Sequence, residues 1–202
     1  MLFRLPAIVI SLSVHECCHA GSAYLLGDPT ARNMGRLSLN PFRHLDPIGF
    51  LCLMFFRFGW AKPVPINPYN FRSVDEKTGM LLTALAGPMS NILLCFICIG
   101  LFSLTPRRAP VPIQWYFDFL NYMIIINASL AFFNLIPVPP LDGSKILFGL
   151  LPDRMYSAAQ VLEQYGFYIL LLLLFTSIPQ AIIGPLTIGL ISGFLKFFQL
   201  FI

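Results

Sequence analysis

His15-Glu16-Cys17-Cys18-His19 sets two imidazoles four residues apart with a carboxylate beside the first. On a helix this spacing puts both rings on one face, one turn apart, where they can hold a single zinc ion. Glu16 is then in reach of a metal-bound water as general base, so the chemistry suggested is hydrolysis of a peptide bond. The stretch that carries the pattern, Leu5 to Gly27, is otherwise apolar. An ionisable residue at the middle of a membrane helix costs about 2.5 kcal/mol or more, which argues for a functional Glu16. The competing reading is a set of polar residues satisfied by hydrogen bonds between helices.

A site of this kind needs a third protein ligand and an open position for water. The chain has three histidines, so the third ligand is His44 or a carboxylate. Asp142 is the better candidate. It follows Pro139-Pro140, where helical backbone is broken, and irregular backbone at membrane depth is expected only around a cavity or the protein interior. Its alternative role is to N-cap a helix beginning near Ser144.

The elements that position these residues are membrane helices. Of the 202 residues, 57% are hydrophobic and 11% charged, and the mean hydropathy is +0.76. Soluble domains carry about 25% charged residues, so the chain reads as an integral, multi-pass membrane protein in contact with the lipid bilayer. The net charge of +4 comes without a basic cluster, which excludes a nucleic-acid face. The five cysteines form no convincing pair, and Cys95 and Cys98, within an apolar span, read as packing residues. His15 and Glu16 interrupt what would be the apolar core of a signal peptide, so the first helix is expected to be retained.

The expected fold is all-α with about five transmembrane helices: Pro6–Leu26, Gly79–Leu104, Trp115–Ile136, Tyr156–Ile178 and Ala181–Phe201. The last is weakened by Gly184-Pro185. Between the first two full spans, Arg36-Leu37-Ser38-Leu39 alternates like a short strand, and Lys62 to Pro68 reads as extended backbone. Pro47 to Phe56 is apolar but too short to span, hence re-entrant or interfacial. Residues 1–202 read as one domain, with a core at 5–152 and C-terminal helices at 153–202. The long loop holds Arg32, Arg36, Arg43, Arg57, Lys62, Arg72 and Lys77, which places it in the cytoplasm and the N-terminus outside. Arg107-Arg108 counts mildly against that orientation. His15, His19 and Asp142 then arrive at a similar depth near the inner face.

Together these segments resemble the site-2 protease family of intramembrane zinc metalloproteases, particularly its compact prokaryotic branch without a PDZ or CBS domain. The likeness runs from His15-Glu16-Cys17-Cys18-His19-Ala20 and Leu26-Gly27-Asp28 through Gly35-Arg36-Leu37-Ser38-Leu39-Asn40-Pro41, His44 and Asp46-Pro47. It continues in Ala61-Lys62-Pro63-Val64-Pro65, Gly87-Pro88-Met89-Ser90-Asn91 and Asn134-Leu135-Ile136-Pro137-Val138-Pro139-Pro140-Leu141-Asp142-Gly143. The resemblance implies one zinc ion held by His15, His19 and Asp142, with Glu16 activating water. It implies that Asn134 lies near the metal and contacts substrate or the oxyanion, and that Gly87-Pro88 and Asn91 form a packing element beside the site. It also implies a prokaryotic inner membrane, an active site toward the cytoplasm and a substrate that is the transmembrane segment of another membrane protein, in regulated intramembrane proteolysis. Two other function classes remain as alternatives. A non-cutting helix-binding module would not need Glu16, and a metal or ion transporter would place more polar residues along its spans.

Overall fold

The computed structural model describes residues 3–56, 59–105 and 114–201. Its eight α-helices are α1 (Arg4–Leu25), α2 (Thr30–Asn33), α3 (Pro47–Phe56), α4 (Glu76–Leu104), α5 (Gln114–Asn134), α6 (Asp142–Leu150), α7 (Tyr156–Leu174) and α8 (Ile178–Gln199). Four of them, α4, α5, α7 and α8, are long and apolar enough to cross a membrane. The first expected span forms as a helix of 22 residues, yet it is not among those four. Ser11, Ser13, His15, Glu16 and His19 dilute its apolar character.

Two helices, α1 and α4, meet by one rule, a mostly small or polar residue at every fourth position. On α1 the buried face includes Ala7, Ser11, His15, His19 and Ala23; on α4 it includes Gly79, Thr83, Gly87, Asn91, Cys95 and Ile99. Residues four apart form ridges along a helix, and small ones let two backbones approach closely. At one end these faces join Leu120, Met123, Ile124 and Ala128 of α5 in an apolar cluster. Toward the other end they turn polar, and the candidate site forms there. α8 closes the apolar end, with Phe194 and Phe198 packed on Phe96 of α4 at ring separations of 5.1 and 4.9 Å.

α4 begins earlier than its apolar stretch because Asp75 caps it, accepting from Thr78 N at 2.9 Å. Gly184-Pro185 does not interrupt α8, which runs unbroken past Pro185. The break between the last two helices falls instead at the turn through Thr176.

The expected strand at Arg36–Leu39 does not form. Ser38 N–H folds back to Arg36 O at 3.0 Å, and the Ser38 carbonyl accepts from His44 Nε2 at 2.6 Å. With its groups taken locally the segment has no strand to pair with, and among the described residues there is only an isolated bridge between Leu45 and Ala61. That bridge, with Lys62 N–H donating to His44 O at 2.7 Å, closes the base of a loop whose tip is α3. Ile48, Leu51, Met54 and Phe55 of α3 are exposed. Of the cations that oriented the chain, Arg57, Arg107 and Arg108 lie outside the described residues.

The loop is anchored by Asp28, fully buried just beyond α1. Its carboxylate accepts from Thr30 N (3.0 Å), Thr30 Oγ1 (2.5 Å), Asn67 N (2.7 Å) and Asn70 Nδ2 (2.9 Å). Gly27, at φ 111°, makes the turn that leads into it.

Candidate metal centre

His15 and His19 project from α1 onto the Thr83–Gly87–Asn91 face of α4, and each ring is held by its Nδ1. His15 Nδ1 donates to Asn91 Oδ1 at 2.6 Å, and His19 Nδ1 donates to the Thr83 carbonyl at 2.7 Å. Gly87 sits between these two contacts and leaves room for both imidazoles. A Cβ there would stand 2.6 Å from His15 Cε1 and 2.6 Å from His19 Cε1.

With both Nδ1 atoms occupied, the two Nε2 atoms face inward. They lie 3.0 Å apart, and each is 3.1 Å from Asp142 Oδ2. Asp142 opens α6, but Leu141 is the N-cap and no side chain caps the helix. The capping alternative for Asp142 is therefore not what forms, and its carboxylate points at the two histidines. A chain reversal between α5 and α6 delivers it. Gly143 packs so closely on the carbonyls of Leu135 and Ile136 that a Cβ would have no space.

The donor set fits a cation. Neutral imidazoles protonated at Nδ1 offer only lone pairs at Nε2, and a carboxylate offers only lone pairs. Three acceptors 3.0–3.1 Å apart, with no hydrogen between them, repel unless a positive charge joins them. Donor atoms in tetrahedral zinc sites, with bonds of about 2.0–2.1 Å, stand about 3.3 Å apart, close to these separations. His15, His19 and Asp142 are all buried, and they are the one cluster of this type among the described residues.

Comparison with known proteins decides the family. The sequence profile described as "Peptidase family M50" matches residues 109–176. Three curated relatives share the name "Putative zinc metalloprotease". YwhC of Bacillus subtilis is 34% identical over 98% of this chain and 92% of its own length. The chain belongs to peptidase family M50, the site-2 protease family. MJ0611 of Methanocaldococcus jannaschii is 31% identical over 72% of this chain and 75% of its own length. Rip2 of Mycolicibacterium smegmatis is 27% identical over 83% of this chain and 64% of its own length. No solved structure matches the chain.

Within this family member the remaining expected residues are placed unevenly. Glu16 follows His15 on α1 and is half-buried. Arg36 is 5% exposed and donates through Nη2 to the carbonyls of Lys62 and Pro63, binding the extended segment to the loop beside α1. Asn134 is not brought into the cluster; its Nδ2 donates to Leu130 O at 3.0 Å within α5. His44 is buried in the loop and is not a member of the cluster.

Sequence reasoning gave Asn91 a packing role and overlooked Thr83. Both are direct partners of the histidines. The signal was present as Thr83-x-x-x-Gly87-x-x-x-Asn91, one polar and small face at the same four-residue spacing as His15 and His19.

Proposed function

We propose that the chain is an intramembrane zinc endopeptidase that cuts a peptide bond within the transmembrane segment of a membrane-protein substrate, in regulated intramembrane proteolysis. The observation that carries this reading is the buried triangle of His15 Nε2, His19 Nε2 and Asp142 Oδ2 inside a bundle of apolar helices. These three residues would hold one zinc ion. Bound there, zinc supplies Lewis-acid polarisation of the scissile carbonyl, a lowered pKa for water and stabilisation of the oxyanion.

The chain's own groups do the rest. Glu16 takes a proton from the attacking water as the new C–O bond forms, and returns it to the leaving amine as the C–N bond breaks. Asn91 and the Thr83 carbonyl hold the two imidazoles so that Nε2 faces the reaction. Asn134, at the end of α5, is assigned to contact with substrate or the oxyanion, which requires its amide to leave Leu130 O.

A helical substrate hides its carbonyls and must unwind to be cut. The backbone N–H groups of Val64 and Ile66, two residues apart, have no hydrogen bond among the described residues. They form an edge to which an unwound segment adds as a strand. Pro63 and Pro68, at the ends of this edge, line a cleft of about 770 Å³ whose other walls include Pro139, Pro140 and Ser144, close to Asp142. Pro63–Asn67 therefore takes this role, and the Arg36–Leu39 segment, whose backbone groups are bonded locally, does not.

We place α1 across the bilayer as a fifth span and α3 in its interface, where exposed Ile48, Leu51, Met54 and Phe55 meet lipid. The cationic loop lies in the cytoplasm of a prokaryotic cell, with the metal centre at that end of the bundle. The buried polar side chains Thr83, Asn91 and Asn127 gather around one cluster, which favours a fixed site over a transport path.

The test is the position of the cut. A tagged single-span substrate reconstituted with the protein, analysed by mass spectrometry, is expected to be cleaved inside its apolar segment. Asp142→Ala is expected to lose both zinc and product. Cleavage in the soluble flanks alone, or by Asp142→Ala at the wild-type rate, would overturn the proposal.

A further inference from the structure

We infer that Asn127, which hydrogen-bonds to none of the three ligand groups, is a positioning residue that fixes the tautomer of His15. A chain of hydrogen bonds runs from α5 through Asn127 and Asn91 to His15. The Met123 carbonyl on α5 can only accept, and it receives Asn127 Nδ2 at 2.8 Å. The nitrogen of the Asn127 amide is thereby committed to its own helix, and its oxygen is turned toward α4.

Asn91 must answer with nitrogen. Its Nδ2 donates to Asn127 Oδ1 at 2.8 Å, and the same nitrogen lies 3.3 Å from the Ser11 carbonyl, a second group that can only accept. Turning the Asn91 amide over would set oxygen against oxygen at both places. Asn91 and Asn127 are both 0% exposed, so no bulk water is at hand to relieve such contacts.

The Asn91 oxygen is thus left for His15 Nδ1 at 2.6 Å, and that nitrogen has to carry the proton. His15 Nε2 then presents a lone pair to the centre. His19 needs no such relay, because the Thr83 carbonyl alone dictates its Nδ1–H. The two ligands are therefore set by different means. One takes its tautomer from a backbone carbonyl directly, the other chiefly from a carbonyl on a third helix through two asparagines, with the longer Ser11 contact acting in the same sense. In water an imidazole divides its proton between the two nitrogens. A His15 free to do so would turn an N–H toward the metal in part of the population.

The inference rests on reading the three groups as a zinc site, and the experiment separates the two claims. The purified full-length protein would be labelled with ¹⁵N-histidine, stripped of metal and observed by NMR at alkaline pH, where no proton bridges the three acceptors, and zinc affinity would be measured by competition with a chelator. Wild type is expected to show His15 as the Nδ1–H tautomer alone. Asn127→Leu, similar in size, leaves the Asn91 amide only its longer 3.3 Å contact with the Ser11 carbonyl, and is expected to show a second tautomer at His15 and a zinc dissociation constant raised about 10-fold. His19 should be unchanged, which a general loosening of the bundle would not produce.

Asn127→Asp supplies the conservative rescue. As a buried neutral acid it can present its carbonyl oxygen to Asn91 and its O–H to Met123, so tautomer and affinity should return to wild-type values. A folded Asn127→Leu with a single His15 tautomer and undiminished zinc affinity would overturn the inference. If Asn127→Leu does not fold, Asn127→Asp decides, because mixed tautomers at His15 in that folded variant would overturn it equally. A wild type that binds no zinc would refute the metal reading, while the metal-free spectra would still judge the relay.

Discussion

Gly87→Ala separates the metal centre from the fold that carries it. Gly87 lies inside α4, where alanine is the better helix former by about 0.8–1.0 kcal/mol, so the helix itself should not suffer. The added methyl, however, would stand 2.6 Å from a ring carbon of His15 and 2.6 Å from one of His19. Carbon atoms in contact prefer about 3.5–4.0 Å, so each ring must retreat by about 1 Å. Neither can swing aside freely, since His15 is tied to Asn91 at 2.6 Å and His19 to Thr83 O at 2.7 Å. A ligand atom misplaced by about 1 Å costs about 100-fold in rate. Loss of one outer-shell partner alone costs about 10–100-fold in metal affinity. With both histidines displaced, zinc affinity is expected to fall by at least about 100-fold, while helix content holds and thermal stability falls only modestly, since an overpacking cost of about 1–3 kcal/mol is partly offset by the gain in helix propensity. Chelator competition and circular dichroism on the same preparation measure both. Wild-type zinc affinity in Gly87→Ala would refute the placement of α4 against the histidines.

Asn91→Leu should leave a folded bundle with zinc affinity lowered about 10–100-fold, read by the same competition assay. Ile66→Pro removes one of the two unpaired edge N–H groups and should lower kcat/KM by about 10-fold, the worth of one hydrogen bond, with zinc content unchanged. Burial pushes the Asp28 carboxyl up, but the bonds from Thr30, Asn70 and Asn67 outweigh it and hold it below its ordinary value of 3.8. Its contribution is therefore complete above about pH 4 and is lost as pH falls through the lowered value. Asp28→Asn should cost about 1–3 kcal/mol at neutral pH and flatten the acid limb of a thermal-melt series against pH.

What the sequence made legible was local. His15, Glu16 and His19 could be assigned because a four-residue spacing on one helix is a property of the segment alone, and Asp142 stood out because prolines interrupt an apolar run. The long helices were found from their apolar stretches, and their ends moved where a polar residue extended them. α4 starts at Glu76 because Asp75 caps it. The strand expected at Arg36–Leu39 failed for the opposite reason. Alternation is local, but a strand needs a partner, and His44 takes the carbonyl a partner would have used. Asn91, Asn127 and Thr83 acquire their significance only when α1, α4 and α5 come together. Nothing in the sequence near Asn127 points to a histidine 112 residues away.

The most direct test of the account is cleavage of a single-span substrate by the purified protein beside Glu16→Gln, with zinc content measured on both. Glu16 is assigned to proton transfer and not to holding the metal, so Glu16→Gln should retain its zinc and yield no product, while wild type cleaves. Equal cleavage by the two, or loss of zinc with Glu16, would contradict the division of labour drawn here between the three ligands and the base.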